Sequence, residues 1–123
     1  MTRSTVNKGK WGEDIAENYL RKKSYKILFR NWKAERGDID IIAMDGGCLV
    51  FTEVKIGFSE KYGPPELRIT EAKKRQLYKL ASIFIQKSEK NSSNYESYRF
   101  DVVIIDGIPQ KYTIRHYKNA FYI

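Results

Sequence analysis

Apolar residues recur at two periods along the 123-residue chain, one typical of helices and one typical of strands. A spacing of three and four positions marks residues 7–22 and a second stretch that follows Thr70, a residue type that caps helix N-termini well. Gly12 lies in the middle of the first stripe, where a missing side chain lets a helix approach a sheet closely. The predicted apolar stripes are Trp11, Ile15, Ala16, Tyr19 and Leu20 in the first helix, and Leu77, Leu80, Ala81, Phe84 and Ile85 in the second.

Five shorter runs rich in Ile, Val, Phe and Tyr are typical of β-strands. They span residues 25–32, 38–43, 48–55, 98–105 and 112–117, with a turn expected at 106–109. The predicted order is therefore α-β-β-β-α-β-β. The helix between the third and fourth strands permits a parallel connection, so we expect an α/β fold with a mixed β-sheet flanked by α-helices. A chain of this length fits one domain, spanning residues 1–123.

The short Asp-Gly-Gly segment at 45–47 determines how the second and third strands face each other. If the turn is centred on its two glycines, Asp40 lies directly opposite Glu53. If it is centred on the Asp-Gly dipeptide, the two carboxylates are diagonal neighbours on one face, whereas a three-residue loop would separate the faces. Lys55 follows Glu53 by two residues and therefore projects from the same face.

Two carboxylates side by side on neighbouring strands repel each other unless a cation offsets their charge. Mg²⁺ or Mn²⁺ is suited to a small set of oxygens, here Asp40, Glu53 and the backbone carbonyl of Val54. Lys55 would then orient or deprotonate an attacking water, or neutralise charge that develops on a phosphate. Glu13, at the edge of the first apolar stripe, would hold a metal-bound water or complete the ligand shell.

The chain has 23 Lys and Arg against 15 Asp and Glu, a formal net charge of +8. Such an excess indicates a polyanionic partner such as nucleic acid, or serves solubility alone. The net charge alternates along the sequence: +6 over residues 1–36, −3 over 37–63, +4 over 64–90 and +1 over 91–123. A metal-dependent phosphodiesterase needs such an acidic centre between basic flanks. We expect Lys73, Lys74 and Arg36 to contact the nucleic acid.

Each candidate also has a purely structural interpretation. The Glu-x-Lys triplet at 53–55 could be a solvated ion pair, and Asp40 could face solvent. Lys73 could extend along its helix toward water. We interpret His116 as a packing or surface residue, because the sequence offers it no carboxylate partner, and Asp101 as a structural carboxylate.

The single cysteine, Cys48, excludes an intramolecular disulfide and a cysteine-based zinc site. The first residues lack the apolar stretch of a secretory signal, and no run approaches the roughly 20 apolar residues of a membrane span. We therefore expect a cytoplasmic protein that does not associate with membranes.

Short motifs follow one another along most of the chain. They are Gly12-Glu13-x-x-Ala16-x-x-Tyr19-Leu20, Tyr25-Lys26-Ile27-Leu28-x-Arg30-Asn31-Trp32, Gly37-Asp38-Ile39-Asp40-Ile41-Ile42, Val50-Phe51-x-Glu53-Val54-Lys55, Tyr62-Gly63-Pro64-Pro65, Lys73-x-x-x-Leu77, Arg99-Phe100-Asp101-Val102-Val103 and Asn119-Ala120-Phe121. Their order and spacing resemble the bacterial YraN-like family of small predicted endonucleases. That family is part of the restriction-endonuclease-like PD-(D/E)XK superfamily and is related in core to archaeal Holliday junction resolvases.

The resemblance implies roles for individual residues. Asp40 and Glu53 would be metal ligands, Lys55 the catalytic lysine and Glu13 an auxiliary acid, while Lys73 would act near the substrate. The chain departs from the pattern at two positions. These are Asp38, where relatives usually have Glu, and Gly57, where an Arg often follows the Glu-Val-Lys triplet. The second departure removes a phosphate contact, so the substrate affinity of relatives does not transfer directly.

Together these features predict a Mg²⁺- or Mn²⁺-dependent DNA endonuclease that acts in repair, recombination or DNA processing. The sequence contains no groove-reading motif, so we expect it to recognise the shape of branched or single-stranded DNA rather than base sequence. The alternative is a non-catalytic nucleic-acid-binding protein or adaptor for a helicase or recombination complex. A third interpretation, a structural domain with an incidental acidic cluster, fits the charge reversal poorly. A homodimer would supply the two active sites needed to cut two strands.

Overall fold

The computed structural model of the chain describes residues 2–35, 37–57, 69–89 and 95–121, with side chains from residue 9 in the first helix and up to residue 88 in the second. Two helices and five strands follow in the predicted order α-β-β-β-α-β-β. They are α1 (Thr2–Lys22), β1 (Lys26–Ala34), β2 (Gly37–Asp45), β3 (Cys48–Gly57), α2 (Glu71–Glu89), β4 (Ser97–Ile108) and β5 (Lys111–Tyr117). The predicted mixed α/β fold is confirmed.

The five strands form one sheet in sequence order, β1-β2-β3-β4-β5. β3 and β4 are parallel, and the other three neighbouring pairs are antiparallel. A parallel pair needs a long crossover, and α2 lies in the connection between these two strands, as the element order predicts. Thr70 caps this helix, since its Oγ1 accepts a hydrogen bond from the backbone N of Lys73 at 3.1 Å.

Two boundaries differ from the prediction. α1 begins at Thr2 rather than at residue 7, because residues 2–5 are polar and add nothing to the apolar stripe that marks the helix. The turn predicted at 106–109 is wrong: β4 continues to Ile108, and its last three residues pair with β5 from Thr113 back to Lys111. Gly107, with a φ of 129°, supplies a backbone conformation that lets the hairpin continue through this point.

The sheet has a hydrophobic core on each face. The core under α1 consists of Ala16, Leu20, Tyr25, Ile41, Ala43, Val50, Val103 and Ile105. The core under α2 consists of Ile39, Ile42, Leu49, Phe51, Ile69, Leu77, Leu80, Ala81, Phe84, Phe100, Val102, Ile104 and Phe121. Both predicted helical stripes therefore face the sheet. In the part of the chain that the structure describes, no helix is long and apolar enough to cross a membrane.

Candidate functional site

The hairpin of β2 and β3 brings two acidic side chains together. Asp45 pairs with Cys48, which confirms the turn centred on the two glycines, and regular pairing continues to Ile41 and Thr52. At the next level Asp40 lies beside Glu53.

The carboxylate of Asp40 also contacts the backbone of the neighbouring strand. Its Oδ2 accepts a hydrogen bond from the backbone N of Val54 at 2.8 Å. The N–H and C=O of one strand residue point toward the same neighbouring strand, so the carbonyl of Val54 also faces β2. The Asp40 carboxylate, Glu53 and the backbone of Val54 therefore lie at the same end of the hairpin.

The strands are irregular at this level. Ile39 belongs to the core under α2 and Ile41 to the core under α1, although residues two apart share a face in a regular strand. Asn31 of β1, level with Asp40 in the register, has a left-handed backbone with a φ of 52°. The regular pairing of β2 with β3 ends at Ile41 and Thr52, one residue before the acidic side chains.

Burial makes it unfavourable for both Asp40 and Glu53 to be ionised. Glu53 is only 6% exposed. Burial, and then repulsion from Glu53, raise the pKa of Asp40 to about 8, although the hydrogen bond from Val54 favours the ionised form. A buried and a half-buried carboxyl group side by side resist joint ionisation without a compensating cation. The oxygen donors and their surplus negative charge fit Mg²⁺ or Mn²⁺, which prefer oxygen ligands.

Two lysines supply part of the compensating charge. Lys55 Nζ lies 3.5 Å from Glu53 Oε2, and Lys73 Nζ lies 3.9 Å from the same oxygen. Each side chain is about one-third exposed, 33% and 31%, so both ammonium groups remain reachable from solvent. The turn of α2 capped by Thr70 therefore directs Lys73 toward the acidic pair rather than away from it.

Glu13 approaches the pair from α1. Its Oε1 accepts hydrogen bonds from Asn31 Nδ2 at 2.9 Å and from Arg30 Nη2 at 3.2 Å. Its charge contributes to the raised pKa of Asp40. In the described part of the chain, no three Asp, Glu, His or Cys side chains are placed to bind a metal together. Glu13, Asp40 and Glu53 are therefore not arranged as a joint set of three metal ligands, and the water-holding role of Glu13 stays a prediction.

The remaining predicted contacts lie apart from this group. Lys74 Nζ is 3.3 Å from Glu71 Oε1 and 5.7 Å from the ring centre of Phe121, so it is not beside Glu53. Arg36 lies outside the described residues, as does the Tyr-Gly-Pro-Pro motif at 62–65.

His116 has a carboxylate partner that its sequence neighbours do not reveal. His116 Nε2 lies 2.8 Å from Asp101 Oδ2, and Asp101 is fully buried. Because an ionised carboxylate only accepts hydrogen bonds, His116 donates here. The expectation that this histidine has no carboxylate partner is wrong, since pairing of β4 with β5 joins residues that no sequence motif connects. Asp101 also accepts hydrogen bonds from Arg99 Nε and Asn119 N, both at 2.9 Å, in keeping with a structural role.

Comparison with known proteins identifies relatives along most of the chain. A family model described as "Uncharacterised protein family UPF0102" matches residues 12–105, a segment that includes every site residue from Glu13 to Lys73. A UPF0102 protein of Geobacter metallireducens is 42% identical over 113 residues, covering 92% of this chain and 90% of the relative. A UPF0102 protein of Clostridium botulinum strain Loch Maree is 40% identical over 117 residues, 94% of each chain. The chain therefore belongs to UPF0102, the YraN-like family that its motifs resemble.

Proposed function

We propose that this protein is a metal-dependent DNA endonuclease of the PD-(D/E)XK type, formed by the whole chain as one domain. The observation that carries the proposal is the pairing of the buried Glu53 with the half-buried Asp40, with the Lys55 ammonium 3.5 Å from Glu53. A merely solvated Glu-x-Lys ion pair would not require burial of its glutamate beside a second acid.

Asp40, Glu53 and the carbonyl of Val54 would hold Mg²⁺ or Mn²⁺. When bound, the cation stabilises negative charge on the scissile phosphate and makes water a better nucleophile at neutral pH. Lys55 and Lys73 offset part of the negative charge of the pair, since their Nζ atoms lie 3.5 Å and 3.9 Å from Glu53 Oε2.

The protein's own groups supply the remaining chemistry. Lys55 orients the attacking water or neutralises charge on the phosphate oxygens, and Lys73 contacts a phosphate from the start of α2. Glu13 holds a water against the acidic pair. Attack of water on phosphorus breaks the bond to the 3′-oxygen, so the products carry a 5′-phosphate and a 3′-hydroxyl, as the superfamily resemblance implies.

A cleft along α2 has two cationic side chains against one acidic side chain, Glu35, whose Oε2 lies 3.7 Å from Lys79 Nζ. Its net positive lining supports DNA as the partner. This cleft of about 630 Å³ between the start of β2 and α2 is lined by Arg75 and Lys79 together with Glu35, Gly37, Ala72, Gln76 and Leu80. Positive side chains contact the phosphate backbone without reading base sequence. We therefore propose recognition of DNA shape, with branched or single-stranded DNA as substrate, in the cytoplasm where DNA is processed, with Lys74 and Arg36 as further backbone contacts.

The test is a cleavage assay on branched, flapped, single-stranded and duplex DNA with Mg²⁺, with Mn²⁺ and with a chelator. Glu53→Gln and Lys55→Ala should each lower cleavage at least about 100-fold, because each removes a group that acts on the reacting phosphate. Glu96→Gln and Lys111→Ala alter exposed residues of the same types elsewhere and should cut like the parent.

Equal cleavage by the parent and by Glu53→Gln would overturn the proposal, as would an absence of cleavage with either metal. Tight, salt-dependent DNA binding without cleavage would instead identify a nucleic-acid-binding adaptor for a helicase or recombination complex. Sedimentation of the protein with and without branched DNA would show whether two copies act together.

A further inference from the structure

Two neighbouring side chains of β1 hold the carboxylate of Glu13. Asn31 Nδ2 donates to Glu13 Oε1 at 2.9 Å, and Arg30 Nη2 donates to the same oxygen at 3.2 Å. Both donors engage Oε1, so the orientation of the carboxyl plane is set from one side. Oε2 is then the oxygen that would accept a hydrogen bond from a water beside Asp40.

The backbone of Asn31 is unusual. Its φ of 52° lies in the left-handed region, which non-glycine residues seldom adopt and asparagine adopts more readily than most. This conformation occurs level with Asp40, since the flanking residues Arg30 and Trp32 pair with Ile41 and Ile39. Ser24, Glu35 and Asn119 also have a left-handed φ, so the distinguishing feature of Asn31 is the contact of its side-chain amide with Glu13.

Arg30 has a broader role than Asn31. Its guanidinium also contacts Asp14 Oδ1 at 2.6 Å and Glu17 Oε1 at 3.3 Å, so it ties α1 to β1 through three carboxylates. Substitution of Arg30 would therefore disturb the attachment of the helix as well as Glu13. The amide of Asn31 acts on Glu13, which makes it the cleaner residue to test.

The held carboxylate faces open space. Glu13, Arg30 and Asn31 line a wide cleft of about 630 Å³ together with Gly9 and Lys10. Water can therefore reach Glu13 through this cleft.

We propose that Asn31 is a positioning residue whose side-chain amide, together with Arg30, directs Glu13 toward the Asp40–Glu53 pair. The inference rests on the proposed nuclease function and adds to it a residue that touches neither metal nor substrate. Groups that orient the partners of a metal site commonly affect affinity or activity by about 10–100-fold when they are lost.

Asn31→Gly tests this inference directly. Glycine adopts a φ of 52° without strain, so the substitution deletes the amide and keeps the backbone. The chain offers a matched control, Asn119→Gly, because Asn119 has the same φ of 52° and contacts Asp101 through its backbone N, which glycine retains. Both variants should remain folded by circular dichroism and thermal unfolding.

We expect Asn31→Gly to lower kcat about 10-fold with little change in KM, and to weaken binding of Mn²⁺ alone, measured by calorimetry. Asn119→Gly should match the parent in both assays. In a Glu13→Gln background, Asn31→Gly should have no further effect, because the carboxylate on which it acts is gone. Asn31→Asp should impair the site at least as much, since a second carboxylate then faces Glu13.

Equal losses in Asn31→Gly and Asn119→Gly would overturn the inference, as would a full loss from Asn31→Gly in the Glu13→Gln background. If the parent cuts DNA and Asn31→Gly is unchanged in kcat and Mn²⁺ affinity, the nuclease stands and the positioning role falls. If the parent cuts no DNA, the proposed function falls and Mn²⁺ affinity decides the positioning role alone. A parent that neither cuts DNA nor binds Mn²⁺ overturns both.

Discussion

At the scale of single residues, Glu53 is set apart by its neighbours. It is almost fully buried, has an acidic neighbour in Asp40, and has two lysine ammonium groups within 4 Å of one oxygen. A glutamate on a solvated strand needs none of these, because water stabilises its charge. The local environment therefore supports a chemical role for Glu53 better than its sequence motif does.

Asp101 shows how a buried carboxylate is stabilised when its role is structural. Burial by itself would raise the pKa of Asp101, but hydrogen bonds from His116, Arg99 and the backbone of Asn119 outweigh it and hold the pKa below its usual value. Folding therefore favours the ionised form. The resulting stability is present above the unfolded pKa of about 3.9 and is lost as pH falls through the lower folded pKa.

Asp101→Asn should lower the free energy of unfolding at pH 7 by about 2 kcal/mol, because charge-assisted hydrogen bonds are lost while the residue stays buried. The variant should also lose less stability than the parent between pH 5 and about pH 2, since one titrating group is gone. Urea unfolding at several pH values measures both effects. Asp14→Asn, which changes a half-exposed residue, should lower the free energy of unfolding by less than about 1 kcal/mol. If Asp14→Asn and Asp101→Asn lower it equally, the structural role of Asp101 is contradicted.

At the scale of elements, the close approach of α1 to the sheet depends on Gly12. A Cβ placed on Gly12 would lie 2.3 Å from Cδ1 and 2.5 Å from Cγ1 of Ile56 in β3. The next residue along the helix is Glu13, so this contact also sets how near its carboxylate comes to the acidic pair. Glycine costs helix propensity, and the close packing against β3 explains its presence there.

Gly12→Ala should destabilise the protein by about 1–2 kcal/mol, because the methyl group overpacks against Ile56. In an Ile56→Ala background the clash is absent, and Gly12→Ala should instead stabilise by up to about 1 kcal/mol through helix propensity. Gly9→Ala, in the same helix with nothing within 4 Å of its Cβ, should be stabilising in both backgrounds. Chemical unfolding of the parent, Gly12→Ala, Ile56→Ala and the double variant would show whether the effect of Gly12→Ala on the free energy of unfolding changes sign. Additive effects of the two substitutions would refute the packing explanation.

At the scale of the whole molecule, the net charge of +8 is unevenly distributed around the acidic pair. β2 and β3 hold the carboxyl groups, and α2 brings Lys73 to one side of them and Arg75 and Lys79 to the neighbouring cleft. A nucleic-acid backbone could then contact these positive side chains while one of its phosphates lies at the acidic pair. The distribution agrees better with a phosphodiesterase than with charge that serves solubility alone.

Arg75→Ala and Lys79→Ala should each weaken DNA binding about equally for unrelated sequences, because phosphate contacts do not read bases. Each substitution should also reduce the slope of the logarithm of the binding constant against the logarithm of the salt concentration by about one, the value of one lost phosphate contact. Titration of labelled single-stranded and branched DNA at several salt concentrations measures the slope. Lys111→Ala, in β5, should leave the slope unchanged, and a similar loss from all three variants would indicate non-specific charge effects.

Local patterns were sufficient to predict the element order, the two helical stripes and the adjacency of Asp40 and Glu53. Hydrophobic periodicity follows from which face of an element is buried, and the two-residue turn sets the hairpin register within a few residues of sequence. The sequence does not predict the contact of Asn31 with Glu13, because no local pattern specifies a left-handed residue whose amide meets a helix residue 18 positions away. The turn after β4 was misplaced because Asp106 and Gly107 resemble turn residues although they continue the strand.

The sequence alone thus defines the mixed α/β architecture, the acidic hairpin and the basic segments on either side of it. Only the tertiary structure shows that Glu53 is buried and that Lys55 and Lys73 both approach its Oε2. It also shows the hydrogen bond from Asn31 of β1 to Glu13. The physical reason is one of distance: turns and stripes act over a few residues, whereas desolvation and charge pairing depend on groups that meet only after α1 and α2 pack on opposite faces of the sheet.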